Sequence, residues 1–396
     1  MARSCRCDGL GGGEVLTIAA ERVWTPETAL EPGWLTLEQD RIVAVGAGSP
    51  PPGAVRAESG LTLVPGLVDI HIHGSFGHDV QQGVEALAAM AAGLPRFGCT
   101  AYLPTTIPAP WEETLQTVAR LADAAARPRP GARPVGLHLE GPFLNPVFRG
   151  MHLPANLVMP NAELARALLE AGGGLVRTVT LAPELPGGMD AVRVLAAAGV
   201  LVGMAHSDAS YEAALAALGA GARHVTHCYS AMRGLHHRDP GLVGAALDLD
   251  GLSAEVIADG IHVHHPALRV LWRAKGWRRL ALITDAMPGA AAPDGVYRFG
   301  GQDVHVGDGR ARLADGTLAG SVLTLDAAMR TMVAAGVPPR EAVGMATRTP
   351  AALLGLRDQG HLEPGARADI VALDPEFRVA WTMIGGEVFY RRPGAA

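Results

Sequence analysis

Six side chains of this sequence share a chemistry and a setting: His71, His73, Glu140, His206, His227 and Asp285 each close a short apolar run. The plainest case is VGLHLEGPF at 135–143. Alternate residues of a strand share a face, so Val135, Leu137 and Leu139 point one way and His138 and Glu140 the other. Gly141-Pro142 then stops the strand. Glu140 is left at the tip of a buried strand, a costly place for a charge without a partner. By the same alternation His71-Ile72-His73 sets two imidazoles on one face. Four imidazoles and two carboxylates suit one or two borderline divalent cations such as Zn2+ or Fe2+. A single histidine at a strand end is ordinarily a hydrogen-bonded structural residue. Six polar groups at one pole of a fold would need six separate partners or a shared cation.

The elements that must gather these residues read as strand–helix alternation. Strands are predicted over 67–73, 100–103, 135–140, 176–181, 201–206, 224–227, 254–258 and 280–285, with Ala/Leu-rich helices between them, among them 84–97, 111–126, 162–171 and 211–218. Eight such units predict an α/β fold, a (β/α)8 TIM-like barrel. All six polar residues then sit at the C-terminal ends of strands, where these barrels place their chemistry. The chain ends differ: VLTIAA, WLTLEQDRIVAVG and LTLVPG precede the barrel, and RADIVALD and GEVFY follow it. These runs predict a small discontinuous β-sandwich domain from 14–65 and 358–396, with the barrel over 66–357 and a disordered start over 1–13.

Composition narrows the function classes. In a chain of 396 residues with a formal net charge of −6, no basic surface argues for nucleic acid or anionic membrane. No apolar run is long enough to span a bilayer, and Arg3 and Arg6 are not followed by the apolar core of a signal peptide, so the expected location is cytoplasmic. Cys5, Cys7, Cys99 and Cys228 form no disulfide framework. Cys5-x-Cys7 reads as part of a frayed terminus, and Cys228, next to His227 on a strand, as a core thiol facing away from the histidines.

The motifs HIHG, HLEGPF, GMH, HSDA, TH-x-x-x-AM, ADGIHV, ITDAM and LAGS, in that order, resemble the N-acetylglucosamine-6-phosphate deacetylases of the amidohydrolase superfamily. The resemblance runs from about Val64 to Ala352, and the tail GHLEPGARADIVALD is similar to the β-sandwich of that superfamily. It implies that Glu140, His206 and His227 bind the cation found in all members. His71 and His73 would add the second site that some members have. Asp285 would be the catalytic acid/base and a further metal contact, and His152 would touch the acetamido carbonyl. Ser230, Ala231, Arg238, Asp259, Gly260, His262, Leu318, Ala319 and Gly320 would line the sugar-phosphate site. The cofactor implied is Zn2+, with Fe2+, Co2+ or Mn2+ as alternatives. The partner implied is a second copy of the chain, with Arg238 and His262 reaching the neighbouring active site.

Two departures matter. Many amidohydrolases bridge two cations with a carbamylated lysine at a strand tip. The only lysine of this chain, Lys275, lies in the helical RAKGW stretch, so a bridging Glu140 is expected instead. In THCYSAM, Ser230 stands where the resembled family has asparagine, which opens the question of the sugar epimer. The expected reaction is metal-dependent hydrolysis of N-acetyl-D-glucosamine 6-phosphate to D-glucosamine 6-phosphate and acetate. Its rivals are a deacetylase for the galactosamine epimer, another N-acyl amidohydrolase, and a sugar-phosphate-binding protein without turnover. Asp285 speaks against the last, since a binder has no need of a proton shuttle.

Overall fold

The computed structural model describes residues 15–56 and 60–394. The expectations for the first thirteen residues, including Cys5-x-Cys7, lie outside the described residues. Eight parallel strands follow one another in spatial order: β1 (Leu67–Ile72), β2 (Cys99–Thr106), β3 (Leu137–Glu140), β4 (Val176–Leu181), β5 (Leu201–Met204), β6 (His224–Val225), β7 (Ser253–Ile257) and β8 (Leu280–Ile283). The expected barrel is present. β1 and β8 close it without a regular ladder: Asp285 N donates to His71 O, His73 N donates to Ala286 O, and Thr284 Oγ1 donates to buried Asp69 at 2.6 Å.

Several predicted strands end early, and one cause explains three of them. His206, His227 and Asp285 have φ of 47°, 32° and 48°, so the chain leaves the ladder just before each of them. Such left-handed conformations cost non-glycine residues on the order of 1–3 kcal/mol each. They turn each side chain into the barrel mouth. β3 begins at Leu137, not at 135, because Gly136 at φ 140° breaks the pairing.

The helices wrap the barrel. α2 (Trp111–Ala126) matches its predicted bounds and buries Thr114, Thr117, Val118 and Leu121, the i, i+3, i+4, i+7 face of a helix. Truncating Leu121 to Ala should cost roughly 2–5 kcal/mol. The predicted helix over 84–97 is two elements, α1 (Val84–Gly93) and a 3-10 turn Leu94–Phe97. Pro95 has no N–H to continue the α-helical ladder.

Strands from both chain ends share a six-stranded sheet in which Ile370–Leu373 pairs antiparallel with Thr62–Pro65. It packs against a four-stranded sheet from 15–56 through Val23, Leu35, Ile42, Leu63, Ile370 and Trp381. A three-stranded antiparallel sheet, Gly295–Phe299, Gln302–Gly307 and Arg310–Arg312, follows β8 and was absent from the sequence reading. Its signals were present: Gly300-Gly301 and Asp308-Gly309 are two-residue hairpin turns between short strand-forming runs. Phe299, Val304 and Val306 pack on Ile107, Met151 and Met287, so this sheet walls one side of the mouth.

Candidate metal centre

Glu140 stands at the centre of the mouth. Its Oε1 lies 2.9 Å from His227 Nε2, 3.3 Å from His206 Nε2 and 3.5 Å from His71 Nε2. Its Oε2 lies 3.3 Å from His152 Nε2 and 3.5 Å from His73 Nε2. Asp285 Oδ1 is 3.0 Å from His73 Nε2 and 3.6 Å from His71 Nε2. Two groups emerge, His71–His73–Asp285 and Glu140–His152–His206, each with its donor atoms within 4.8 Å of one another. His227 joins the second group, its Nε2 being 3.1 Å from that of His206. His152 thus stands as close to Glu140 as the ligands expected from sequence. All these side chains are buried.

Backbone geometry explains how Glu140 arrives there. The following Gly141 has φ 85°, and a Cβ on it would sit 2.9 Å from Pro108 Cγ. Only glycine turns the chain away this tightly at the strand tip.

Hydrogen-bond partners behind the imidazoles determine what they present in front. His73 Nδ1 lies 3.0 Å from Thr105 O, and His206 Nδ1 lies 2.9 Å from Phe148 O. A carbonyl oxygen only accepts, so each Nδ1 carries the proton and, in the neutral ring, each Nε2 offers a lone pair to the mouth. His71 Nδ1 lies 2.7 Å from the carboxylate of Glu255, with the same consequence. His227 Nδ1 is buried without a partner. In their neutral form the rings of His71, His73 and His206 therefore turn bare nitrogens toward two carboxylates. Such a set fits a cation and little else.

Electrostatics agree. Burial alone would raise Glu140, yet His71 and the imidazoles of His152, His206 and His227 hold it well below the usual carboxylate range. Asp285 is lowered too: His71 and His73 outweigh its burial. Burial would lower His71, but Asp285, Glu140 and Glu255 raise it to about 10. Without a metal, these carboxylates favour a proton on His71, and Glu140 and Asp285 raise His227 against its burial as well. His206, dominated by burial, is lowered to about 4 and stays neutral.

The mouth opens into a cavity of about 410 Å³. Of the residues expected at the sugar-phosphate site, Ser230, Ala231, His262, Leu318 and Gly320 line it. Asp259 stands behind: its carboxylate accepts from the N–H groups of Ile261 and His262 and lies 2.6 Å from His262 Nδ1. Ala319 is buried under the three-stranded sheet, and Gly260 and Arg238 do not line the cavity. Arg238 is exposed, its Nη1 2.8 Å from His237 Nε2. Lys275 ends the helix His265–Lys275 and donates from Nζ to Leu249 O, away from the mouth. Cys228 is a buried free thiol, pushed up to about 12 by burial.

A polar layer below the mouth escaped the sequence reading: Glu255 on β7, His224 on β6, and the partners of His138. His138 Nε2 lies 2.8 Å from Thr180 Oγ1, which lies 2.7 Å from Thr226 Oγ1. Glu255 was findable as a charge in the middle of the apolar run SAEVI.

The chain matches the Amidohydrolase family over residues 62–389. It is 35% identical over 387 residues to the N-acetylglucosamine-6-phosphate deacetylase of Bacillus subtilis, covering 95% of this chain and 98% of that protein. It is 40% identical over 365 residues to the N-acetylgalactosamine-6-phosphate deacetylase of Escherichia coli O157:H7, covering 90% and 96%. Its structure superposes with a TM-score of 0.91 and 38% identity on a mutant N-acetyl-D-glucosamine-6-phosphate deacetylase from Mycobacterium smegmatis in complex with N-acetyl-D-glucosamine-6-phosphate, covering 95% of this chain and 100% of that one. With its barrel, its buried ring of histidines and carboxylates and these relatives, the chain belongs to the amidohydrolase family and groups within it with the N-acetylglucosamine-6-phosphate deacetylases.

Proposed function

We propose that this protein hydrolyses N-acetyl-D-glucosamine 6-phosphate to D-glucosamine 6-phosphate and acetate in amino-sugar breakdown, using one or two divalent cations, Zn2+ first among them. The observation that carries this reading is the convergence of the ring nitrogens of His71, His73, His206 and His227 on the carboxylates of Glu140 and Asp285, at the bottom of a sugar-sized cavity. Glu140, His206 and His227 would hold one cation, and His71, His73 and Asp285 would hold a second beside Glu140. A bound cation supplies Lewis acidity and makes a water acidic enough to act as nucleophile near neutral pH.

The chain's own groups do the rest. Asp285, kept ionised, takes a proton from the attacking water and returns it to the departing amine nitrogen as the C–N bond breaks. His152 Nε2, held beside Glu140, donates to the acetyl oxygen as charge develops there. Burial of the ring keeps bulk water from competing with the substrate amide.

The phosphate end needs a positive charge, and among the described residues no arginine or lysine lines the cavity. Arg238 of the partner subunit would supply it in a homodimer, through the exposed loop GLHHRDPG. His262 lines the cavity of its own chain, which supports a role for it at the sugar of that same site. The domain reading is carried forward as ours, with 14–65 and 358–396 as one small unit beside the barrel. No described helix is long and apolar enough to cross a membrane. A cytoplasmic site is proposed on chemical grounds: a phosphorylated sugar does not cross a bilayer unaided, so enzyme and substrate share a compartment.

The galactosamine epimer is a second reading, favoured by Ser230 in the cavity and by the 40% identical relative. Acetate release from both 6-phosphorylated epimers and from unphosphorylated N-acetylglucosamine separates these readings. The glucosamine substrate should be used most efficiently. Equal use of the unphosphorylated sugar would reject the substrate class, and preference for the other epimer would reassign it.

A further inference from the structure

The carboxylate of Glu255 lies at the heart of the barrel, 0% exposed, and among the described residues no arginine or lysine pairs with it. Its Oε1 is 2.7 Å from His71 Nδ1 and accepts the backbone N–H of His227 at 3.3 Å. Its Oε2 is 2.9 Å from His224 Nε2, whose Nδ1 lies 2.8 Å from Ser253 Oγ. The carboxylate is clamped from both sides and cannot rotate away from His71. Barrel interiors of this kind are ordinarily filled by branched apolar residues, which would hold the strands without burying a charge. A buried carboxylate costs several kcal/mol before its partners compensate, so packing gives no reason for it here.

The other imidazoles of the mouth lean on weaker supports. His73 and His206 donate to backbone carbonyls, and His227 Nδ1 has no partner. His71 alone among the four rests on a carboxylate. A carboxylate behind an imidazole fixes which nitrogen bears the proton, orients the ring and makes the front nitrogen a stronger donor.

We infer that Glu255 is a positioning residue for the second cation: by holding the Nδ1 proton of His71 it aims that ring's Nε2 lone pair at the space shared with His73 and Asp285. Without it, the His71–His73–Asp285 group loses most of its hold on a divalent ion while the Glu140–His206–His227 group keeps its own. This rests on the two-cation reading above.

The test titrates Zn2+ into metal-free protein against a chromogenic chelator, alongside the thermal midpoint of the metal-free form. Two variants are compared with wild type. Glu255→Leu removes the acceptor, and the second ion should bind about 10- to 100-fold more weakly, with the first unchanged. Glu255→Gln keeps an oxygen for His71 and loses only the charge, so it should recover part of that loss. Should the Leu variant fail to fold, the Gln variant carries the test: a second ion weakened with the first unchanged supports the inference, and two ions at wild-type affinity overturn it. The inference is also overturned by a folded Leu variant that binds both ions as wild type does. Equal weakening of both ions in step with a lowered metal-free midpoint assigns Glu255 to packing and overturns it as well. A wild type that takes up one ion overturns both this inference and the two-cation reading. A two-ion wild type with two unchanged ions in the variants overturns this inference alone.

Discussion

The two halves of the mouth solve one problem by different means. On the side of β1 and β8, His71, His73 and Asp285 sit over a buried carboxylate, and the surplus negative charge raises His71 to about 10. On the side of β3, β5 and β6, the imidazoles of His206 and His227 converge on Glu140 over carbonyl oxygen or no partner at all, and burial lowers His206 to about 4. The first half is a negatively charged hole that a proton or a metal ion fills. In the second, two imidazoles meet one carboxylate: burial lowers His206, while Glu140 and Asp285 outweigh burial and raise His227. Burial is similar at His71 and His206, so it is the number of carboxylates around each that decides the sign of its shift.

The largest effect should come from breaking what the halves share. Glu140→Gln keeps the shape but removes the charge both halves use, so both cations should be lost and turnover should fall by about 10³-fold or more. Metal content by mass spectrometry and acetate release check this; a variant retaining both ions would show that the halves are independent.

Asp285→Asn separates chemistry from binding in the first half. Turnover should fall by about 10²-fold or more because proton transfer is lost both to and from the substrate. At least the cation of the second half should remain. Near-normal kcat across the pH range would move the proton shuttle to another residue.

Replacing His71 and His73 together with glutamine should lower metal content from two ions toward one and reduce turnover by about tenfold, while the second half keeps its ion. Unchanged metal content would merge the two halves into one site.

The smallest effect concerns the layer beneath. His138 is lowered to about 3, by burial first and then by His71, so it is neutral when folded and charged when unfolded below its ordinary value of 6.5. The unfolded chain then binds more protons, and stability falls as pH drops from 6.5 toward 3. In metal-free protein, His138→Gln should remove on the order of 2 kcal/mol of the loss between pH 6.5 and 5. Urea midpoints at the two pH values measure it; identical slopes for wild type and variant would place the acid sensitivity elsewhere.

Much of this was legible in order along the chain. Period-two runs ending in His73, Glu140, His206, His227 and Asp285, spaced by helix-length Ala/Leu stretches, state the barrel and its polar pole because strand alternation and helix periodicity are local properties. The left-handed turns at His206, His227 and Asp285 were not legible, since non-glycine residues reach that region only where surrounding structure compels them. Nor was the three-stranded sheet over the mouth, whose value lies in the apolar wall it completes with Ile107 and Met151 from distant segments.

The sequence by itself determined which residues could meet at one end of a barrel: their types, their strand ends and the one face they share. Only the tertiary structure decided what stands behind each of them. Glu255 reaches His71 across 184 residues of chain at 2.7 Å, while carbonyls of Thr105 and Phe148 meet His73 and His206. Which nitrogen an imidazole presents depends on the partner of its other nitrogen. That partner is chosen by how the closed barrel packs, through contacts between residues far apart in the chain that no local pattern encodes.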